Sequence, residues 1–287
     1  MTLCEEVRAH CAHVAADARS VHIDMDALEA LQGVPQATIE PLVEGSGEDA
    51  ARSLLILDTI NFGSGWFPTL RKRPGHSGYG TVAAALRERF AIEAPWSNDQ
   101  LRAIDARSVA ATLGQDPDHE LMALYAQALR SLGGWLGPRT VLETVDQARG
   151  SAATLAAQLA AGMALYADRG FYKRAQIVPA NLALAGVARF NDLDALTIFA
   201  DNLVPHVLRC EGVLVYDPRL AAHIDAGRLL RPGPQEHEIR ACALHACELL
   251  GARLGVPPRV LDNWLWNRGQ EPRYKALPRH RCRCVFY

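Results

Sequence analysis

Apolar residues in this chain recur at every third or fourth position almost from end to end, and the two-residue alternation of a half-buried strand is nearly absent. That single feature restricts the fold to packed helices. The 3.6-residue period predicts helices over 3–19, 26–31, 46–62, 79–90, 99–104, 117–132, 137–148, 152–166, 172–188, 192–208, 235–254 and 258–266. Two pieces read as extended, Val21-His22-Ile23 and Gly212-Val213-Leu214-Val215-Tyr216. Gly33-Val34-Pro35 breaks the second helix. Ser46 can cap the third, Glu48 and Asp49 suit its first turn, and Gly63 closes it. Loops of about 3–10 residues remain, the usual length between packed helices. No repeat, low-complexity stretch or linker divides the chain, so residues 1–287 are expected to form one irregular multi-helix, all-α domain.

Charge and cysteine usage bear on partners. Lys and Arg number 30 against 32 Asp and Glu, a formal net charge of −2. Chains that live on nucleic acid carry a basic field, because neutralising phosphates supplies most non-specific affinity; direct nucleic-acid binding is not expected. No run approaches the roughly 20 apolar residues that span a bilayer. Seven cysteines without a regular framework argue against a disulfide-stapled secreted fold. Cys282-x-Cys284 lacks a second pair at zinc-site spacing, so no metal is expected. Glu5, Glu6, Arg8 and His10 interrupt any signal-peptide core. The expected compartment is the reducing cytosol.

Three segments can carry chemistry. In Phe171-Tyr172-Lys173-Arg174-Ala175-Gln176-Ile177, two aromatics and two cations open a helix. They can stack a ring and hold an anion, or equally form a hydrophobic staple with two solvated cations. In 190–205, Asp192 and Asp194 suit a helix's first turn. Asp201 falls on the flank of the apolar face, beside the kink expected from Pro205, which has no N–H to bond the carbonyl of residue 201. At 58–68 a helix end meets an aromatic loop: Phe62 and Trp66 can wall a planar base or pack in the core, and Asn61 offers both donor and acceptor. Further on, Glu236-His237-Glu238-Ile239-Arg240 reads as a local salt-bridge lattice, Leu261-Asp262-Asn263-Trp264-Leu265-Trp266 spreads two tryptophans over different helix faces, and 279–283 is a basic run.

Taken together these segments resemble the queuosine-salvage family of nucleotide N-glycosylase/hydrolases. The resemblance rests on Asn61-Phe62 with Trp66, F-Y-K-R-x-Q-I at 171–177, Phe199-Ala200-Asp201 with Pro205, Glu238-Ile239-Arg240, Leu261-Asp262 with Leu265-Trp266, and His280-Arg281. The glycine-rich Gly63-Ser64-Gly65 departs from the family pattern, as does Asn202-Leu203. The resemblance implies an all-α fold similar to the helical DNA glycosylases, release of queuine from queuosine or its 5′-monophosphate, and no redox cofactor. It places Asp201 and Lys173 at the sugar.

Breaking a nucleoside C1′–N bond builds positive charge on the sugar and negative charge on the base. A carboxylate at C1′, here Asp201, can steady the sugar and orient or deprotonate water. Lys173 would hold Asp201, the ribose or a phosphate, with Arg174 as the alternative phosphate ligand. A 7-deazaguanine has no N7 to protonate, and queuine's secondary ammonium calls for a carboxylate, Asp262 with Asp58 behind it. Stacking on Phe62, Tyr172 or Trp266 would add roughly 1–3 kcal/mol per contact. Two rivals stand beside this reading. One is a DNA-repair glycosylase, from Leu31-Gln32-Gly33-Val34-Pro35 and Leu254-Gly255-Val256-Pro257, which resemble a phosphate-binding hairpin. The other is a non-catalytic helical module binding a nucleoside or a protein.

Overall fold

The computed structural model describes residues 1–31, 33 and 47–287. Among them are fifteen α-helices: α1 (Leu3–Asp17), α2 (Met25–Ala30), α3 (Glu48–Thr59), α4 (Gly78–Ile92), α5 (Asn98–Ala103), α6 (Ala106–Leu113), α7 (Glu120–Leu136) and α8 (Val141–Asp146). The chain continues with α9 (Ala152–Gly162), α10 (Lys173–Leu184), α11 (Val204–Cys210), α12 (Pro218–Asp225), α13 (Pro234–Leu254), α14 (Pro258–Arg268) and α15 (Pro272–Lys275). The all-α expectation holds. Both extended pieces are real and find each other: β1 (Val21–Ile23) pairs antiparallel with β2 (Leu214–Tyr216), Val21 opposite Tyr216. Helices α6, α12 and α15 were not foreseen. The expected cap Ser46 and the Val34-Pro35 break lie outside the described residues.

Side chains start these helices where the backbone N–H groups would otherwise lack partners. Thr2 with Glu5, Ser97 with Gln100 and Thr140 with Glu143 form reciprocal capping boxes on α1, α5 and α8. Other caps come from far away in sequence. Glu48, in the first turn of α3, accepts the N–H groups of Val141 and Leu142 at 2.9 and 3.0 Å and pairs with Arg52. Asp192 accepts from Ala152 N–H at 2.6 Å and from Ser151 at 2.7 Å, so it caps α9.

The predicted helix over 192–208 is the main correction. A short 3₁₀ turn, Leu193–Ala195, is followed by non-helical chain, and α11 begins only at Val204. Asp201 is therefore not on a helix flank beside a kink. Its Oδ1 accepts the N–H groups of Leu203 at 2.7 Å and Val204 at 3.4 Å, which starts α11 there. Pro205 occupies the first turn, where a missing N–H costs nothing.

Two large apolar clusters form the interior. One joins α3, α4, α7 and α9 with the inner face of α10; the other surrounds α13 with α1, both strands, α11 and α14. Ile239, Ala241, Cys242, Ala243, Leu244, Ala246, Cys247 and Leu250 are all buried, which makes α13 apolar nearly all round and central to its cluster. Among the described residues no helix is long and apolar enough to cross a membrane.

Candidate active site

A cavity of about 1670 Å³ opens along the seam between the two clusters. One wall comes from the loop after α3, the start of α4 and the outer face of α10; the other comes from the chain before α11, from α14, and from 279–287. Six of the residues singled out in the sequence line it: Asn61, Phe62, Lys173, Asp201, Asp262 and Trp266.

Lys173 is the first residue of α10. Tyr172 before it is left-handed at φ 49°, a conformation rare outside glycine, and offers no side-chain cap. Asp168 does that work, accepting the Lys173 N–H at 3.3 Å. The Lys173 side chain is 4% exposed, and its Nζ donates to the Asn61 carbonyl at 3.3 Å. Burial lowers its pKa, while the nearby carboxyls of Asp201, Asp58 and Asp262 pull it back up. Lys173 is thus a desolvated cation lying among three acids.

Asp201 commits one oxygen to capping α11; its Oδ2 has no hydrogen-bond partner among the described residues, and the side chain is half-buried at the cavity wall. Asp262 sits on α14 with Oδ1 accepting the Phe199 N–H at 2.8 Å. Burial, and then repulsion from Asp201, push its carboxyl up to about 7, against the Phe199 N–H and Lys173. Trp266, one turn further on the same face of α14, is 37% exposed and lines the cavity. On the opposite wall Phe62 is fixed edge-on against Tyr125, centroids 5.0 Å apart.

Three other candidates are not brought to the cavity. Trp66 is buried and donates to Glu120 at 2.7 Å. Tyr172 lies between the two apolar clusters, near Glu6. Arg174 is 1% exposed, donates to the carbonyls of Thr59, Leu165 and Val285, and is sandwiched between the Phe62 and Tyr166 rings at 4.6 and 4.8 Å. With both terminal nitrogens on carbonyls and a ring over each face, this guanidinium braces the fold and is not available to a phosphate; only its buried Nε lacks a partner among the described residues. Asp58, proposed behind Asp262, is fully buried and has both oxygens on Asn181 Nδ2.

The glycine-rich loop has a structural reason. A Cβ on Gly65 would lie 2.4 Å from the Cys282 carbonyl oxygen, and the Gly63 N–H bonds the Tyr287 carbonyl at 2.9 Å, so the loop lies directly against the final segment. At Leu254-Gly255-Val256-Pro257, the Gly255 and Val256 N–H groups both close the end of α13 on Gly251, which leaves neither for a DNA phosphate.

Sequence reasoning missed the partners that hold the site together. Arg240 forks onto Asp168 at 3.1 and 2.5 Å and donates from Nε to the Ala200 carbonyl at 3.0 Å. One guanidinium therefore grips both the cap of α10 and the residue before Asp201. Burial disfavours its charge, but Asp168 and Glu236 outweigh that and raise its pKa. Glu236 pairs with Arg240 at 3.6 Å, as expected of a local salt-bridge lattice, and both are buried. Gln176 adds a second tie, exchanging hydrogen bonds of 2.9 Å with the hydroxyl and N–H of Thr197. The F-Y-K-R-x-Q-I segment contained the signal for this tie; Asp168 stood outside every motif. Among the described residues no group of three or more His, Cys, Asp or Glu is placed to hold a metal ion.

With this geometry in view, the family described as "Queuosine salvage protein" matches residues 42–287. The chain belongs to the queuosine salvage family. The match includes every residue that lines the cavity. A Sphaerobacter thermophilus protein named queuosine 5′-phosphate N-glycosylase/hydrolase is 31% identical over 96% of this chain and 95% of its own length. A Dictyostelium discoideum protein of the same name is 28% identical over 84% of this chain and 79% of its own. The Mus musculus protein, also so named, is 35% identical over 41% of this chain and 40% of its own. Kinship therefore extends through both walls of the seam, not one motif.

Proposed function

We propose that this protein hydrolyses the N-glycosidic bond of queuosine 5′-phosphate and releases queuine. Support comes from the names borne by its relatives and from one observation: Asp201, with an oxygen to spare, and the buried cation Lys173 line the same cavity between an aromatic on each wall.

The reaction adds water across C1′–N9. The bond electrons leave with the base, water oxygen bonds to C1′, and the products are ribose 5-phosphate and queuine, which takes a proton. As the bond lengthens, the sugar gains positive charge, and Asp201 steadies it through Oδ2 while accepting a hydrogen bond or a proton from the attacking water. Its other oxygen, held by the N–H groups of α11, keeps the carboxylate in place. Lys173 holds the ribose phosphate and sets its positive charge near that carboxylate without bonding it. Trp266 stacks on the base, and Phe62, buried with Arg174 over its ring, backs the opposite wall. Asp262 pairs with the ammonium of the queuine side arm: a buried carboxyl lacking a full counter-charge gains one when the substrate arrives.

Incubation with queuosine 5′-phosphate, followed by chromatography and mass spectrometry for free queuine, tests the proposal. Release by the wild type and its near loss in Asp201→Asn are expected; no queuine from the wild type would end it.

A further inference from the structure

Asp58 is a carboxyl at 0% exposure that the mechanism does not use. Desolvation pushes its pKa up to about 7, in spite of the Asn181 amide and the nearby Lys173 and Arg174. Both of its oxygens lie on a single atom, Asn181 Nδ2, at 2.8 and 3.0 Å. This contact fixes which way round the amide sits. An amide has a donor end and an acceptor end, and Asp58, when ionised above about pH 7, only accepts. Rotating Asn181 would set its oxygen against two carboxylate oxygens and leave buried acceptors unpaired. Asp58 therefore holds the NH₂, and Oδ1 is the end left over. Asn181 lines the cavity, and that Oδ1 has no hydrogen-bond partner among the described residues.

Asn181 lies two turns beyond Lys173 on α10, with Ile177 between them, and all three line the same wall. Asp262 stands on the opposite wall. A 7-deazaguanine has its side arm on one edge and the N1–H and 2-amino donors on the other. We propose that Asn181, locked by Asp58, is the acceptor that reads this donor edge and so selects a guanine-type base over an adenine-type one. An adenine-type base presents a lone pair at N1 and is repelled. Asn181 is thus a specificity-determining residue and Asp58 a positioning residue; the assignment rests on the queuosine 5′-phosphate reading above.

The test measures inhibition of queuosine 5′-phosphate hydrolysis by free 7-deazaguanine and free 7-deazaadenine. The wild type is expected to prefer 7-deazaguanine by roughly 10- to 100-fold in inhibition constant, the worth of one hydrogen bond gained and one lone-pair clash avoided. Asn181→Leu and Asn181→Ala should bring that ratio close to one. Asn181→Asp, which keeps an acceptor towards the cavity, should retain it. Asp58→Asn should reduce the preference several-fold in the wild type and not at all in the Asn181→Leu background. The ratio of two inhibitors is independent of how much of a variant folds. Wild-type protein that shows equal inhibition by the two bases, or none by either, overturns the inference, as does an unchanged ratio in both Asn181 variants. An inert wild type instead overturns the enzymatic reading itself.

Discussion

Lys173 and Arg174 are adjacent, both cationic and both hidden, yet they belong to two differently built regions. Arg174 and, nearby, the Asp168–Arg240 pair form a brace behind the cavity in which the charges are matched by carbonyls, carboxylates or ring faces. Lys173 on one side and Asp201 and Asp262 on the other form the wall of the cavity in front of it, where one carbonyl contact, a spare oxygen and a carboxyl raised to about 7 leave the charges under-matched. The brace makes burial of ions tolerable by saturating them. The wall does not, and the proposed substrate, with its cationic arm, anionic phosphate and developing sugar cation, would supply what is missing. Burial alone thus does not separate structural from functional ions; unmet hydrogen-bonding capacity facing a cavity does.

Substitutions can break or sharpen this contrast. The largest effect belongs to the wall: Asp201→Asn should slow queuine release by about 10²–10⁴-fold while calorimetry still detects substrate binding. A wild-type rate would remove Asp201 from the chemistry. In the brace, Arg240→Ala strands Asp168 without its partner and should cost about 3–5 kcal/mol in urea unfolding. Replacing both by apolar residues of similar size should recover most of that stability but not the turnover, since Lys173 and Asp201 lose their common anchor. Lys173→Ala should weaken kcat/KM for the 5′-phosphate by roughly 10- to 100-fold and for the bare nucleoside by less; equal losses would assign it to the ribose. The smallest effect is in pH. Asp262 must be ionised to pair with an ammonium, so KM should fall as pH rises through about 7. Stability moves the opposite way. An acid whose folded value lies above its unfolded 3.8 destabilises the fold increasingly between pH 4 and 7, so Asp262→Asn should relieve that destabilisation at pH 8 and change almost nothing at pH 4.

Local features of the fold were legible because they are written locally. The start of α10 at Lys173, the 21-residue α13 and the extended Val21–Ile23 follow from periodicity and composition. The stretch 192–208 was misread because its apolar spacing suits a helix, while what breaks it is tertiary: Asp192 is drawn off to cap α9, and Gln176 and Arg240 hold Thr197 and Ala200 in non-helical chain. In the site, Asp201, Asp262 and Trp266 share one wall and Phe62 faces them from the other, an arrangement that motif order could suggest. The different fates of Lys173 and Arg174 could not be read. They point about 100° apart on one helix, and only the positions of Thr59, Leu165 and Val285 decide which of them enters the interior. The Asp168–Arg240 fork joins residues 72 positions apart with no spacing signature.

That fork has a consequence for how the enzyme meets its substrate. In the proposed reaction the Lys173 ammonium and the Asp201 carboxylate are registered by a third helix rather than by clasping each other, so they need not let go of one another when the sugar arrives. On the proposed mechanism their reorganisation is completed during folding, and the electric field that would act on the anomeric carbon is preset before the nucleotide enters.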